Sequence, residues 1–325
     1  MILVTGGTGF IGSHLVGRLT ARGELVRLIV HRVVPPDCAG VEVVRGDLLT
    51  GAGLERSLDG VDTVLHLAGV TKALSSNDYY SGNVTATENL ARAIVAQRRN
   101  IRMVHVSSLA AVGPGADATP ITEDAEPHPI SLYGKSKLEA ERVVRSLLPD
   151  AVIVRPPVVY GPRDTDVFQV LKSIRRGIVL EIAGGERYFS AIYAADLAEG
   201  VIAAARSPAA VGRTYFLAHP GAVSWSQLGA IAARIMGRTS SQVRVVRLPL
   251  AAARAIGYFG ETLSRLTRRP GIVSRDKVRE AECPYWICDT ARAKAETGFE
   301  APTTLEQGLA NTLSWYREAG WLKWS

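Results

Sequence analysis

Residues 1–12 read MILVTGGTGFIG, a short apolar run followed by glycines at positions 6, 9 and 12. The apolar run predicts a buried strand, and the amphipathic stretch Ile11–Arg22 predicts a helix. Glycines between them permit a tight turn, close approach of the backbone to a pyrophosphate and close packing of helix on strand. The open N–H groups of the helix favour phosphate there. This context predicts a dinucleotide-binding unit, with an unliganded glycine-rich turn as the alternative.

The same alternation continues through the first two thirds of the chain. Short runs rich in Val and Ile predict parallel strands covered on both faces, at Ile2–Val4, Leu25–Val30, Val41–Val44, Thr63–Leu67, Arg102–Val106 and Ala151–Val154. Amphipathic helices are predicted at Ile11–Arg22, Asn83–Gln97 and Tyr133–Leu147. The expected fold is α/β, a doubly wound parallel (Rossmann) sheet with a smaller, mostly helical C-terminal substrate domain. Residues 1–162 and 188–217 would form the dinucleotide-binding domain, and residues 163–187 and 218–325 the substrate domain.

Composition narrows the class of protein. The chain has 325 residues, of which 47% are hydrophobic and 21% charged, so disorder and a fibrous repeat are excluded. The net charge of +7 favours anionic small molecules, but nucleic acid is not expected because the arginines are scattered singly. No apolar stretch reaches the length of a membrane span, and no signal peptide is expected. The cysteines, Cys38, Cys283 and Cys288, suit neither a disulfide framework nor a metal site, so we expect packing residues in a reducing, cytoplasmic setting.

Cofactor preference depends on the end of the second strand. An acidic residue that would bind a ribose 2′-hydroxyl is missing there, because the strand ends Ile29-Val30-His31-Arg32 and the next acid is Asp37. Arg32 can form a charge-assisted pair with a 2′-phosphate. We therefore predict NADP(H), with NAD(H) as the alternative if Arg32 is solvated and only stacks on the adenine.

A second constellation predicts proton transfer. Tyr133 and Lys137 are four residues apart on a predicted helix and therefore share one face. An ammonium beside a phenol lowers the pKa of the phenol toward the range of a working acid or base. Ser107 and Ser108 follow the predicted strand Arg102–Val106, and the carboxyl ends of strands in this fold border the ligand crevice.

With these residues the chain resembles an extended short-chain dehydrogenase/reductase of the NAD-dependent epimerase/dehydratase, dihydroflavonol-reductase-like type. The motifs that carry the resemblance occur in order along most of the chain. They are Thr5–Gly12, Asp47-Leu48, His66-Leu67-Ala68-Gly69, Asn83 with Thr87 and Asn89, Ser107-Ser108, Tyr133 with Lys137, Arg155–Pro162 and Asp196-Leu197-Ala198.

The resemblance implies a role for each matching position. Tyr133 would exchange a proton with the substrate oxygen, Lys137 would hold the nicotinamide ribose and lower the tyrosine pKa, and Ser108, or else Ser107, would bind the substrate carbonyl. Asp47 and Leu48 would meet the adenine, with a turn-capping role as the alternative for Asp47. The implied cofactor-binding residues are Gly6, Thr8, Gly9, Phe10, Ile11, Gly12, Arg32, Asp47, Leu48, Leu67, Ala68, Gly69, Tyr133, Lys137, Pro156 and Val158. We expect His66 to be a hydrogen-bonded core residue.

Three functions fit these residues. The first is an NADP(H)-dependent oxidoreductase acting on a carbonyl or alcohol, which Arg32 and the Ser-Tyr-Lys set favour. The second is an NAD-dependent nucleotide-sugar epimerase, similar to UDP-glucose 4-epimerase, which retains its cofactor and needs cations such as Arg163, Arg175 or Arg187 for a diphosphate. Such epimerases tend to carry an aromatic residue where this chain has Gly113. The third is a non-catalytic cofactor sensor. A dehydratase is excluded because Leu109 and Ala110 cannot move protons.

The C-terminal region carries weaker signals. Its apolar run Leu248–Phe259 and its tryptophans favour a hydrophobic, cyclic or steroid-like carbonyl compound. We expect Leu248–Arg269 to be an ordinary helix of the small domain, with a membrane surface or the wall of an apolar pocket as alternatives. Thr303 and Glu306 predict a capping box for a last helix that buries Leu305, Leu309 and Tyr316 or nearby positions. The resemblance also implies a homodimer formed through the helices that begin near Asn83 and Tyr133.

Overall fold

The computed structural model describes residues 1–31, 40–182, 184–239, 242–271 and 273–323. Its strands are β1 Ile2–Thr5, β2 Val26–Val30, β3 Val41–Arg45, β4 Thr63–His66, β5 Arg102–Val106, β6 Val152–Arg155, β7 Val158–Tyr160, β8 Ile178–Ile182, β9 Tyr188–Phe189, β10 Ala191–Tyr193, β11 Thr214–Phe216, β12 Val223–Ser224, β13 Arg244–Leu248 and β14 Tyr285–Trp286. Its α-helices are α1 Phe10–Ala21, α2 Leu54–Ser57, α3 Ser76–Tyr79, α4 Ala86–Ala96, α5 Leu132–Leu147, α6 Asp166–Arg175, α7 Ala194–Arg206, α8 Trp225–Ile235, α9 Leu250–Thr267, α10 Arg275–Glu282, α11 Ala291–Thr297 and α12 Leu305–Glu318.

The main sheet has seven parallel strands in the order β11-β6-β5-β4-β1-β2-β3. This order reverses direction at β1, and the crevice beyond the strand ends at that point is where ligands bind in doubly wound sheets. The predicted fold class is confirmed, and the six predicted strands all lie in this sheet. The expectation of two covered faces is wrong for β3, an edge strand on which Glu42 and Val43 are exposed.

Helices cover both faces of the sheet. On one face α1 packs with α7, and their core includes Leu15, Leu19, Val201 and Ile202. On the other face α4 packs with α5, and their core includes Leu90 and Ile94 of α4 and Val144 of α5. A π-helical turn, Tyr80–Thr85, precedes α4. No helix in the described part of the chain is both long enough and apolar enough to cross a membrane.

A separate core forms from two distant parts of the chain. Residues of α6 and β8 pack against α8 and α12, and the buried side chains at their contact include Leu171, Leu228, Leu309 and Tyr316. The segment around α11 packs differently, because Ala293 lies in the first core beside α7. The domain boundaries stay a prediction.

The last helix begins one residue later than the sequence pattern indicates. Thr304 is its N-cap, and Thr304 and Gln307 form the capping box, so the predicted pair of Thr303 and Glu306 is wrong. The reason lies in α7: Asp196 accepts hydrogen bonds of 2.9 Å from both the backbone N–H and the hydroxyl of Thr303. Leu309 and Tyr316 of this helix are buried, as expected, and Leu305 is half-buried.

A buried ion pair joins α5 to the end of β6. Arg155 donates from Nε and Nη2 to both carboxylate oxygens of Glu141, at distances of 2.6–3.2 Å. Both side chains are buried. Glu141 is one turn beyond Lys137 on α5, so this pair lies close to the predicted active site.

Candidate active site

The glycine loop between β1 and α1 is shaped by close backbone contacts. Gly6 has a φ of 71°, and a Cβ atom on Gly6 would lie 2.7 Å from the backbone nitrogen of Ala68. A Cβ atom on Gly12 would lie 2.1 Å from the Gly6 carbonyl oxygen. No side chain caps the N-terminus of α1, and its first turn carries no acid. The loop therefore leaves backbone N–H groups for an anion, and its chemistry fits the pyrophosphate of a dinucleotide.

The remaining residues of the predicted cofactor site border the same crevice. Leu67, Ala68 and Gly69 follow β4, and a Cβ atom on Gly69 would lie 3.9 Å from Nζ of Lys137. The carbonyl of Pro156 accepts a 2.9 Å hydrogen bond from the N–H of Leu109. Val158 is half-buried in β7. Arg32, Asp37 and Cys38 lie outside the described residues.

The Asp47-Leu48 turn lies beyond the end of β3. Asp47 accepts a 2.8 Å hydrogen bond from the N–H of Leu49, and this bond is the main cause that lowers its pKa. The turn-capping alternative for Asp47 is therefore present in the structure. Nδ2 of Asn89 donates to the carbonyls of Leu48 and Leu49, at 2.9 and 2.8 Å, and so fixes the turn to α4.

His66 lies in a chain of buried hydrogen bonds. The Thr5 hydroxyl is 2.6 Å from its Nδ1, and the Thr87 hydroxyl, which donates to the Asn83 carbonyl, is 2.9 Å from its Nε2. Burial lowers the pKa of His66 to about 3, so its ring is neutral at physiological pH. The prediction of a hydrogen-bonded core histidine is confirmed.

Asn83 connects three parts of the site. Its Oδ1 accepts from the N–H of Val70 at 2.7 Å, and its Nδ2 donates to the carbonyl of Val70 at 3.0 Å and to the hydroxyl of Ser136 at 2.8 Å. The Ser136 hydroxyl donates in turn to the Tyr133 carbonyl. Asn83, Thr87 and Asn89, which the sequence motif grouped together, thus hold the loops around the crevice in place.

Ser108 and Tyr133 meet beyond the end of β5. Ser108 caps the short 3₁₀ turn Leu109–Ala111, because its hydroxyl accepts a 3.2 Å hydrogen bond from the N–H of Ala110. The same hydroxyl is one of the neighbouring groups that lower the pKa of the Tyr133 phenol. The Ser107 hydroxyl is buried and has no hydrogen-bond partner among the described residues. Burial raises the pKa of Tyr133, although the neighbouring Ser108 hydroxyl lowers it in part. Ser108 is thus the serine that influences the phenol, and the phenol is protonated at neutral pH because its pKa is raised.

Lys137 is buried one turn after Tyr133. Its Nζ donates a 2.9 Å hydrogen bond to the Val106 carbonyl. Burial lowers the pKa of Lys137 to about 8, and the Glu141 carboxylate acts in the opposite direction. The effect of Lys137 on the pKa of Tyr133, which the four-residue spacing predicts, stays a prediction.

The cation that lowers the pKa of Tyr133 is Lys277 of α10, which the sequence analysis did not identify. Its Nζ lies 5.7 Å from the centroid of the Tyr133 ring and 2.9 Å from a Glu280 carboxylate oxygen. A lysine 144 residues from the tyrosine gives no spacing signal in a single sequence.

Helix α10 is held over the first turn of α5. Asp276 accepts a 2.8 Å hydrogen bond from the N–H of Leu132, and Trp286 donates from Nε1 to the Glu280 carbonyl at 2.9 Å. Helix α10 therefore places charged side chains, Lys277 and Glu280, beside Tyr133. Together the glycine loop, the phenol and the two lysines can bind a dinucleotide and exchange a proton with a neighbouring oxygen.

Comparison with known proteins gives a family match over residues 2–218, to the NAD dependent epimerase/dehydratase family. The chain is 31% identical over 325 residues to ceramide reductase from Caulobacter vibrioides (strain NA1000 / CB15N), covering 99% of this chain and 96% of that protein. It is 29% identical to 4-hydroxy-2-methyl-3-oxo-4-farnesyl-3,4-dihydroquinoline-1-oxide ketoreductase from Stigmatella aurantiaca, covering 94% of this chain and 93% of that protein.

The structure is similar to that of MoeE5 in complex with UDP-glucuronic acid and NAD. The TM-score is 0.77 at 26% sequence identity, and the match covers 98% of this chain and 99% of the other.

Proposed function

The chain belongs to the NAD dependent epimerase/dehydratase family, and from this premise we propose that it is an NADP(H)-dependent oxidoreductase that transfers a hydride to or from a carbonyl or alcohol group. Relatives of this extended short-chain dehydrogenase/reductase type are enzymes that use a nicotinamide dinucleotide, which leaves the cofactor sensor without support. The observation that carries the proposal is the Tyr133 phenol in the crevice, with Lys277 5.7 Å from its ring centroid and a pKa that burial raises, so that the phenol is protonated at neutral pH.

The proton chemistry follows from these groups. The Ser108 hydroxyl would hold the substrate carbonyl oxygen, and the Tyr133 phenol would give its proton to that oxygen as it becomes an alcohol. A raised phenol pKa suits this direction, because the acid is present in its protonated form at neutral pH. Lys137 would hold the ribose hydroxyls from its buried position, and Lys277 would stabilise the phenolate that remains.

The glycine loop fits the diphosphate of the cofactor. The cofactor, when bound, supplies or accepts the hydride. Gly6, Thr8, Gly9, Phe10, Ile11 and Gly12 would hold this diphosphate. Asp47 and Leu48 would meet the adenine, Leu67, Ala68 and Gly69 would line the path to the nicotinamide, and Pro156 and Val158 would border it. We propose Arg32 as the residue that selects the 2′-phosphate, since no acid occupies the end of the second strand.

A hydrophobic carbonyl compound is the substrate class that we propose. Two relatives are named for reduction, one of ceramide and one of a farnesyl-bearing compound, and both of these molecules carry long apolar groups. A nucleotide diphosphate would need cations, and two of the three arginines considered for it already make other contacts: Arg175 and Arg187 donate hydrogen bonds to backbone carbonyls. A side chain at position 113 is also disfavoured, since Gly113 has a φ of 103° and a Cβ atom there would lie 2.6 Å from the His128 carbonyl oxygen.

The second candidate is an NAD-dependent nucleotide-sugar epimerase. The likeness to MoeE5, whose structure holds UDP-glucuronic acid and NAD, is the observation in its favour. An epimerase returns the hydride to its product and keeps its cofactor, whereas a reductase releases the oxidised form. Cofactor retention therefore separates the two candidates.

We expect the purified chain to arrive without cofactor and to bind NADPH at least about tenfold more tightly than NADH, about 1.4 kcal/mol. The measurement is native mass spectrometry followed by titration of nicotinamide fluorescence. Arg32→Ala should bring the two affinities together, because it removes the partner of the 2′-phosphate. Co-purified NAD that survives dialysis would favour the epimerase, and calorimetry that finds tight binding of a nucleotide sugar but of no apolar ketone would end the substrate proposal.

Replacement of Lys277 tests its effect on Tyr133. Lys277→Met removes a cation that lowers the pKa of Tyr133, so the phenol becomes harder to ionise. Alcohol oxidation, which needs the phenolate, should slow several-fold at neutral pH, and the loss of ketone reduction at high pH should move to higher pH. The pH dependence of kcat in both directions is the readout. Lys277→Arg should restore the profile, and Lys135→Met, an exposed lysine on α5, should leave it unchanged. An unshifted profile for Lys277→Met would contradict the assignment.

We also propose a homodimer, formed through α4 and α5, and a cytoplasmic location. The dimer is supported by the family pattern, and the location by three widely spaced cysteines. Of these, Cys288 is buried in a packed cluster and Cys283 is half-buried.

A further inference from the structure

Helix α9 packs against the protein through its small residues. Ala253 and Gly257 are its buried positions, and a Cβ atom on Gly257 would lie 2.8 Å from a methyl carbon of Val278 in α10. A Cβ atom on Gly260 would lie 2.5 Å from the Val273 carbonyl oxygen. The large apolar residues of the helix therefore have no place at this contact.

Those large residues form one exposed stripe, which we call the α9 outer face: Ile256, Phe259, Leu263 and Leu266. Their exposed fractions are 46, 71, 62 and 79%. Spacings of three and four residues place them on one side of the helix. A helix on the surface of a globular protein normally turns its apolar stripe inward, whereas α9 turns it outward. An apolar patch of this kind marks an interaction site.

The charged residues of α9 separate into two groups. Along the helix they are paired within the small domain, Arg254 with Glu282 and both Arg265 and Arg275 with Glu261. Arg268 and Arg269, at its C-terminal end, are exposed and make no ion pair with any residue that the structure describes. Arg247, just before the helix, lies 3.5 Å from a Glu181 carboxylate oxygen, so the unpaired positive charge of the outer face is at its C-terminal end.

This charge pattern selects the partner. Self-association of two outer faces would leave Arg268 and Arg269 without a counter-charge. A parallel arrangement places them against their own copies, and an antiparallel one places them beside Arg247 and Glu181, which are already paired with each other. A lipid surface with anionic headgroups instead complements the unpaired arginines while its acyl region accepts the apolar stripe. The net charge of +7 also favours binding to an anionic surface.

We propose that the α9 outer face docks on an anionic lipid bilayer, with the helix lying in the plane of the membrane interface. The proposal goes beyond the oxidoreductase function, and only its consequence for substrate access rests on that function. Helix α9 packs on α10, which carries Lys277 beside Tyr133, and a cleft lined by Thr71, Tyr79, Ser264 and Lys277 separates α9 from the sheet domain. Docking would therefore place the entrance of the site at the lipid surface.

The test is sedimentation of the full chain with vesicles, without cofactor or substrate. We expect binding to vesicles of phosphatidylglycerol mixed with phosphatidylcholine and much weaker binding to phosphatidylcholine alone. The triple variant Phe259→Gln, Leu263→Gln, Leu266→Gln should lose binding roughly tenfold or more. Arg268→Asn with Arg269→Gln should lose about fivefold per arginine on the anionic vesicles only. Val211→Gln with Leu25→Gln, which removes exposed apolar residues outside α4, α5 and α9, should bind as the unaltered chain does.

Several outcomes would overturn the proposal. The unaltered chain could stay in the supernatant with both vesicles, or the triple variant could bind as well as the unaltered chain. Sedimentation velocity gives a third outcome. The unaltered chain could be a dimer and the triple variant a monomer, with no lipid binding by either, and the outer face would then be a contact between subunits. Circular dichroism verifies that the variants are folded. No turnover is measured in this experiment, so an absence of vesicle binding would leave the oxidoreductase proposal intact. Vesicle binding by a chain that shows no oxidoreductase activity would support the membrane proposal and contradict the oxidoreductase proposal.

Discussion

Tyr133→Phe is expected to lower kcat for ketone reduction about 10³-fold, within the range that one general acid contributes. The variant removes only the phenol oxygen, so the ring that faces Lys277 and the packing of α5 remain. Cofactor affinity should fall far less than kcat, because Tyr133 is one of many predicted cofactor-binding residues and the glycine loop lies on another element. Steady-state kinetics with a ketone substrate and NADPH titration provide the two readouts.

Tyr79→Phe is the matched control for that variant. The Tyr79 ring lies 6.2 Å from the Tyr133 ring, but its hydroxyl makes only a 3.4 Å hydrogen bond to the Thr71 carbonyl. We expect it to retain kcat within a few-fold. Ser108→Ala should reduce kcat and Ser107→Ala should not, if Ser108 is the hydroxyl that binds the carbonyl. Near-normal turnover by Tyr133→Phe would remove the phenol from the mechanism.

Glu141→Gln is expected to lower the free energy of unfolding by about 3–5 kcal/mol. The substitution keeps the shape of the side chain but leaves the Arg155 guanidinium buried without its counter-charge. It also removes the carboxylate that raises the pKa of Lys137, so that the Lys137 ammonium loses its proton at lower pH. Urea unfolding at neutral pH measures the first effect.

Two further variants test whether the loss of stability comes from the unpaired buried charge of Arg155. Glu139→Gln breaks the exposed pair with Arg142 on the same helix and should lower stability by less than about 1 kcal/mol. The double variant Glu141→Leu, Arg155→Met replaces both charges by apolar groups and should recover much of the loss. A single Glu141→Gln variant as stable as the unaltered chain would show that Arg155 does not depend on this partner.

Much of the sheet domain could be predicted because its signals are local. Each strand of the first two thirds is a short run of β-branched residues, and each helix has a regular apolar period, so the elements near Val26, Arg102 and Tyr133 emerge directly. The glycine loop was readable for the same reason, since Gly6, Gly9 and Gly12 are neighbours in sequence. The strand β11 was not individually predicted, because three residues carry no period.

The rest depends on contacts between distant residues. Lys277 reaches Tyr133 only through the docking of α10, and Asp196 takes the hydrogen bonds of Thr303 and so moves the start of α12 by one residue. The outer face of α9 was visible as an apolar run that ends in arginines. The sequence did not show that this face points to solvent, because periodicity shows that a helix has an apolar side but not whether a neighbour covers it.

The second core is assembled from residues up to the end of β10 and residues after β11, and this has a consequence for synthesis on the ribosome. All seven strands of the main sheet are complete once Phe216 has emerged, so the sheet with the glycine loop can form while α11, which adds Ala293 to its core, is still being translated. Helix α6 and β8, made early, must wait for α8 and α12 before Leu171 and its neighbours are buried. The nascent chain thus completes the glycine loop and α5, which carries Tyr133, before α10 with Lys277 has been synthesised, and α12 completes the second core last.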